Sequence, residues 1–113
     1  MVLTPLPQAD GRVKIRPCIA LRQMPGFGDW LVCGVSTQLH QEVAGFDEPI
    51  LADAADFGTS GLKAPSLIRL GYLAVLPEDR LVGAIGTLAP ERHRRLLQRL
   101  SAYLVQEPGV PPR

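Results

Sequence analysis

Two stretches of the chain carry residue types that could act on a phosphate ester. In Val13–Leu21, VKIRPCIAL, Arg16 stands directly before Pro17 at the entrance to an apolar run. In Gly34–Gln38, GVSTQ, another apolar run ends on two hydroxyls and an amide, Ser36, Thr37 and Gln38. A guanidinium offers several fixed donors to phosphate oxygens and keeps its charge at any ordinary pH. It therefore suits stabilisation of a charged phosphorane and is a poor proton acid or base. A hydroxyl can donate to the same phosphate, and nothing adjacent to Ser36 would make it a covalent nucleophile. If the two runs are neighbouring strands, arginine and hydroxyl meet at one mouth. Each also has a plainer reading: Arg16 as a surface arginine paired with an acid, Ser36 and Thr37 as strand-end hydroxyls capping a turn.

The elements that would hold this pair are legible in outline. Pro17 keeps Ile15 and Arg16 out of helix, since the residue before proline avoids the α region. Cys18–Met24 then reads as a strand, Pro25–Asp29 as a glycine-rich turn, and Trp30–Ser36 as a strand buried on both faces, together a hairpin. Upstream, VLTPLP at Val2–Pro7 is broken by prolines and fits only an edge strand or a strand end. Asp10-Gly11 marks a turn. Between Leu39 and Gly61 periodicity is poor, with a brief strand at Pro49–Leu51 and a loop with a helical turn after it. Ser66–Leu76 reads as one or two strands kinked at Gly71, Pro77–Asp79 as a turn, and Arg80–Leu88 as a strand interrupted by glycines.

Pro90 then opens a helix, where its missing N–H is not required, and Glu91 favours the helix dipole. Leu96, Leu97, Leu100 and Leu104 share one face at helical spacing, with the arginines largely on the other. Ala89 is a poor N-cap, which leaves Thr87 or a frayed start. The expected architecture is mainly β, about five or six short strands in a small barrel, with a C-terminal amphipathic helix packed on it. The domain is expected over 1–105, followed by a disordered tail, 106–113.

Composition narrows the class. Apolar residues make up 46% and charged residues 20% of 113 residues, as in a compact soluble domain. A formal net charge of +1 makes no bulk case for nucleic acid. Three features read as solvated surface: the acidic stretch Glu42, Asp47, Glu48, Asp53 and Asp56, the arginines 92, 94, 95 and 99, and His93 among them. Cys18 and Cys33 lie within apolar runs without metal-ligand spacing and read as buried thiols. The sequence does not open with a basic segment followed by a long apolar stretch, so no signal peptide is expected, and no run approaches the roughly 18 apolar residues of a membrane span. The expected location is the cytoplasm.

The segments PLPQADGRVKIRPCIAL, GVSTQ, GLKAPSLIRLGYL and AIGTLAPERHRRLLQRL occur here in order. Together, over about Leu3 to Leu104, they resemble the MazF/PemK (Kid-like) family of toxins from bacterial toxin–antitoxin systems. That resemblance implies an SH3-like barrel, a homodimer, no cofactor or catalytic metal, and cleavage of single-stranded RNA to 2′,3′-cyclic phosphate and 5′-OH ends. It also implies a cognate antitoxin with an acidic, partly disordered tail. The family's catalytic arginine before proline corresponds to Arg16. Its hydroxyl residue, usually threonine, corresponds to Ser36 when the sequences are aligned on Gln38, or to Thr37 if the register slips by one. Lys14, Thr37, Gln38 and Lys63 are candidate RNA contacts, and His40 near the same mouth is a candidate acid or base. Phe27 and Trp30 could stack on bases, although packing is the simpler role. The chain departs from the family pattern at Ser36 and in lacking the usual Gly-Asp pair ahead of the first strand. A non-catalytic toxin on the same barrel that binds DNA gyrase without cutting RNA, or an inactive member of the family, is the alternative.

Overall fold

The computed structural model describes residues 1–7 and 13–106. The expected Asp10-Gly11 turn and most of the expected tail lie outside these. Six strands form one antiparallel sheet: β1 (Val2–Pro7), β2 (Val13–Gln23), β3 (Trp30–Ser36), β4 (Glu48–Ile50), β5 (Ser66–Leu76) and β6 (Gly83–Ala84). Their order is β4-β5-β3-β2-β1-β6, with β4 and β6 at its two ends. Two helices complete the described fold, the single turn α1 (Phe57–Ser60) and the long α2 (Pro90–Leu104). Mainly β with one substantial C-terminal helix is the architecture expected from the sequence.

The β2–β3 hairpin closes through a tight turn in which Met24 N–H donates to Asp29 C=O at 2.7 Å, with Gly26 and Gly28 at positive φ. Strand β2 is longer than the apolar run suggests, because Val13–Pro17 pairs with β1 as well. Strand β5 is continuous, but its register against β3 jumps from Cys33↔Leu73 to Gly34↔Arg69, so the expected kink at Gly71 is a bulge over Leu70–Tyr72. The expected strand over Arg80–Leu88 shrinks to Gly83–Ala84, preceded by a 3-10 turn at Glu78–Arg80. The reason is local. Gly61, at positive φ, and Gly86 let the 59–61 and 85–87 backbones touch, and Thr87 N–H donates to Thr59 C=O at 2.8 Å. That backbone is committed to α1 rather than to the sheet.

Alternation along the strands sends Ile19, Cys33, Ile68 and Leu70 into the main core, where Leu96 and Leu100 of α2 meet them. The other face carries a smaller cluster of Cys18 and Val32 with Val2, Trp30, Tyr72, Ala74, Leu76 and Leu81. Leu104, expected on the apolar face of α2, is instead exposed. Both cysteines are free and buried, and loss of solvent pushes their thiols up to about 11 for Cys18 and about 12 for Cys33.

The charged residues depart furthest from expectation. Asp47, Glu48 and Asp56 are buried, not solvated. Glu48 bonds Arg92 at 2.6 Å and also pairs with Arg95 and Arg99. Asp56 accepts from Arg92 at 2.7 and 3.1 Å and from the Ala89 N–H at 3.0 Å. It thereby caps α2 from another element, because neither Ala89 nor Thr87 supplies a side-chain cap. Asp47 accepts from the N–H groups of Val43 and Leu70. Positions 92, 95 and 99 follow helical spacing beside Leu96 and Leu100, so they border the buried stripe. His93 is part-buried, its Nε2 2.8 Å from Leu21 C=O.

Removing one partner of a buried ion pair strands the other. Asp56→Ala is expected to lower stability by about 3 kcal/mol in urea unfolding. Burial opposes the charged form of Asp56, but the Arg92 bonds, the Ala89 N–H and the Arg92 charge outweigh it and hold the carboxyl below its ordinary value. Its contribution is therefore complete above about pH 4 and is lost as pH falls through the depressed folded-state value. Urea midpoints measured from pH 6 down to pH 2 should fall in the acid limb, and less steeply in Asp56→Asn. A Cβ on residue 86 would lie 2.3 Å from Thr59 O, so Gly86→Ala should cost about 2 kcal/mol in the same assay.

Candidate functional site

Strand β2 pairs with β1 along its first residues, from Pro7↔Val13 to Val2↔Cys18. It pairs with β3 only from Cys18↔Gly34 onward. Pro17, which has no N–H to donate, is the residue at which the second partner is lost, as suits a local edge. Strand β3 continues past Gly34 alongside β5 as far as Ser36↔Leu67. The sheet therefore parts between β2 and β3 at this point. Arg16 lies two residues beyond Cys18 on one side of the parting, and Ser36 lies two residues beyond Gly34 on the other. Continued by two, the register sets Arg16 and Ser36 opposite each other on one face.

That face is the one away from α2. Across the strands run two rows: Thr4, Arg16, Ser36 and Leu67, then Val2, Cys18, Gly34 and Arg69. Thr4 is fully buried and donates to Arg80 C=O at 2.8 Å, which ties the start of the first row to the 3-10 turn. Gly34 is needed in the second row because the Tyr72 ring lies over it, 3.1 Å from where a Cβ would stand. Arg16 is exposed and Ser36 half-buried. The Ser36 Oγ accepts the Gln38 N–H at 3.0 Å, which fixes the hydroxyl at the strand end and leaves its hydrogen to donate.

The remaining sequence candidates divide by position. Lys14 is exposed on β2, two residues before Arg16 and on its face. Thr37 and Gln38 are exposed just past the end of β3, and alternation turns Thr37 away from the Arg16–Ser36 row. Lys63 is exposed four residues before Leu67, the cross-strand partner of Ser36, and so belongs to the same end of the sheet. His40 is exposed in the 3-10 turn Leu39–Gln41. Phe27 at the hairpin tip and Trp30 at the start of β3 lie at the opposite end, and Trp30 packs in the smaller cluster. Among the described residues no group of three or more His, Cys, Asp and Glu side chains is placed to hold a metal ion, and no helix is long and apolar enough to cross a membrane.

Sequence reasoning passes over Arg69. It is half-buried on the site face, opposite Gly34, and its Nε is shut off from solvent without an acceptor among the described residues. The available signal was a single charge inside an otherwise apolar strand, SLIRLGYL. Two grooves flank α2, one lined by Ile19, Leu88, His93 and Leu97, the other by Phe46, Leu73, Tyr103 and Leu104. Neither includes Arg16 or Ser36. The exposed cations Lys14, Arg16 and Lys63 at this end of the sheet suit an extended polyanion better than a small enclosed ligand.

Residues 1–104 match the sequence model of the PemK-like, MazF-like toxins of type II toxin–antitoxin systems. No curated protein matches the chain. Among solved structures, the Mycobacterium tuberculosis toxin MazF-mt6 has a similar fold, with a TM-score of 0.64 at 18% identity, over 95% of this chain and 99% of that one. A family match over nearly the whole chain, on a fold shared with a MazF toxin, leads to one conclusion: the chain belongs to the PemK-like, MazF-like family of type II toxins.

Proposed function

We propose that this protein is the toxin of a type II pair and acts as an endoribonuclease on single-stranded RNA, as a homodimer in the cytoplasm, without a catalytic metal. The observation that carries this reading is the shared register position of Arg16 and Ser36 at the parting of β2 and β3. In the reaction the substrate's 2′-oxygen attacks phosphorus and the bond to the 5′-oxygen breaks. One proton leaves the 2′-hydroxyl and one reaches the 5′-oxygen, giving a 2′,3′-cyclic phosphate and a 5′-OH end. Arg16 supplies donors and charge to the phosphorane oxygens, where negative charge accumulates. Ser36, held by the Gln38 N–H, donates its hydroxyl hydrogen to the same phosphate. Lys14, Lys63, Thr37 and Gln38 surround the mouth and contact the RNA on either side of the scissile bond.

The serine in place of the family's usual threonine keeps the hydroxyl and loses the methyl that restricts its rotamer. The Gln38 N–H replaces part of that restriction from outside the side chain. Alternation favours Ser36 over Thr37 as the working hydroxyl.

Cleavage of a long single-stranded RNA in excess EDTA is the direct test. Arg16→Ala is expected to slow single-turnover cleavage by about 10²–10³-fold. Ser36→Ala should slow it more than Thr37→Ala does, and Ser36→Thr should restore it. Full activity in Arg16→Ala would remove Arg16 from the site. No cleavage of any RNA by the wild type, with a stable gyrase complex, would select the binding-toxin alternative. A type II toxin also implies an antitoxin. Coexpression with the neighbouring open reading frame should relieve growth arrest, and unchanged toxicity would contradict that pairing.

A further inference from the structure

Single-stranded RNA is held by contacts to its phosphates and by bases stacked on aromatic side chains. The residues named around the Arg16–Ser36 mouth are all polar or charged, and none is aromatic. The chain's one tryptophan, two tyrosines and three phenylalanines sort by place. Phe46 and Tyr103 pack on each other, ring centroids 5.0 Å apart, in the groove beside α2. Phe57 packs against the main core. Phe27 and Trp30, the two that the sequence suggests for stacking, lie at the opposite end of the sheet. That leaves Tyr72.

Tyr72 stands at the bulge of β5. The register against β3 passes from Cys33↔Leu73 to Gly34↔Arg69, so Leu70, Gly71 and Tyr72 are extra residues without partners on β3. Tyr72 packs in the smaller cluster with Cys18 and Val32, on the face away from α2. Its ring leans over Gly34, with Cδ1 3.1 Å and Cγ 3.2 Å from where a Cβ would stand. Gly34 and Cys18 form the last register pair of β3 with β2. The ring therefore covers the point at which these strands part, two residues along β3 from Ser36. At the rise of a strand that is about 7 Å, roughly the reach of one nucleotide in an extended chain.

The ring is half-buried, so part of it is covered by the cluster and part meets solvent. Its contact with Gly34 fixes it beforehand, and a fixed ring loses little freedom when a base settles on it. A plainer role also exists, in which the ring only shields the glycine backbone of a strand. We infer that Tyr72 is the base-stacking residue of the site, carrying the base next to the phosphate that Arg16 and Ser36 hold. This deepens the ribonuclease reading and rests on it for the identity of the ligand. The inference concerns the ring and not the hydroxyl.

The probe is a pool of 2′-O-methyl RNA 15-mers, which cannot be cleaved through the 2′-oxygen, beside an abasic oligomer of the same length. Both are bound at several salt concentrations and read by fluorescence anisotropy. Tyr72→Leu should weaken binding of the base-bearing pool about tenfold at every salt concentration. The slope of log K against log salt should not change, because a neutral ring releases no counterion. Tyr72→Phe, which keeps the ring, should bind within about twofold of the wild type. On the abasic oligomer, Tyr72→Leu and the wild type should bind alike. An equal loss on both oligomers makes the ring a support of the fold and overturns the assignment, as does unchanged binding of the base-bearing pool. If Tyr72→Leu does not fold, crosslinking of the wild type to a 4-thiouridine pool decides. An adduct mapped to Tyr72 supports the assignment, and adducts confined to other residues overturn it. A wild type that binds bases through Tyr72 yet cuts no RNA leaves the stacking role in place and defeats the ribonuclease reading. Normal cleavage by the wild type with unchanged binding in Tyr72→Leu does the reverse.

Discussion

Pairing between β2 and β3 stops at Cys18 and Gly34, and the proposed reactive pair, Arg16 and Ser36, lies just past that stop. Pro17 cannot serve as a ladder donor, and beyond it β2 keeps only β1 as a neighbour. Strand β3 meanwhile stays with β5 to its last residue, Ser36. The two strands are held in register up to the mouth and separate at it. A backbone constraint thus sets Arg16, within β2, and Ser36, at the end of β3, at facing register positions.

The stop is useful only if the strands around it are rigid, and that rigidity comes from the opposite face. The α2 helix seals the main core with Leu96 and Leu100, while Glu48 and Asp56 tie its arginines to β4 and to the segment before α1. Asp56 replaces the cap that Ala89 lacks, so the start of the helix depends on a carboxylate more than thirty positions away. The close approach of Gly61 to Ile85 and of Gly86 to Thr59 and Ser60 fixes the 59–61 and 85–87 segments against each other. These devices leave the site face free of the helix. The same face carries Arg69, half-buried, whose Nε has no acceptor among the described residues.

Much of this arrangement was legible in the sequence, for identifiable reasons. Strands β1, β3 and β5, the hairpin turn and the start of α2 each carried a local signal in proline, glycine or β-branched residues. Arg16 was visible because Pro17 follows it, and Ser36 because β3 ends where its apolar run ends. Glu42, Asp53, Arg94 and Arg95 are solvent-exposed as their sequence suggests, but the burial of Asp47, Glu48 and Asp56 was not legible, because burial of charge depends on partners some 40 positions distant, which no local pattern shows. His93 was hidden for the same reason, its partner being the Leu21 carbonyl. Arg80–Leu88 looked like a strand because glycine-interrupted apolar runs often are. Only the close approach of Gly86 to Thr59 shows why that backbone goes elsewhere. Arg69 was overlooked because nothing in the sequence tells a satisfied arginine from an unsatisfied one.

The central claim is that Arg16 and Ser36 act on one phosphate. A double-mutant cycle on single-turnover RNA cleavage, using Arg16→Ala, Ser36→Ala and the combination, measures this directly. Groups that serve the same transition state are strongly non-additive. The double variant should therefore fall no more than about tenfold below the worse single variant. Losses that simply multiply would place the two residues on separate tasks and contradict the account.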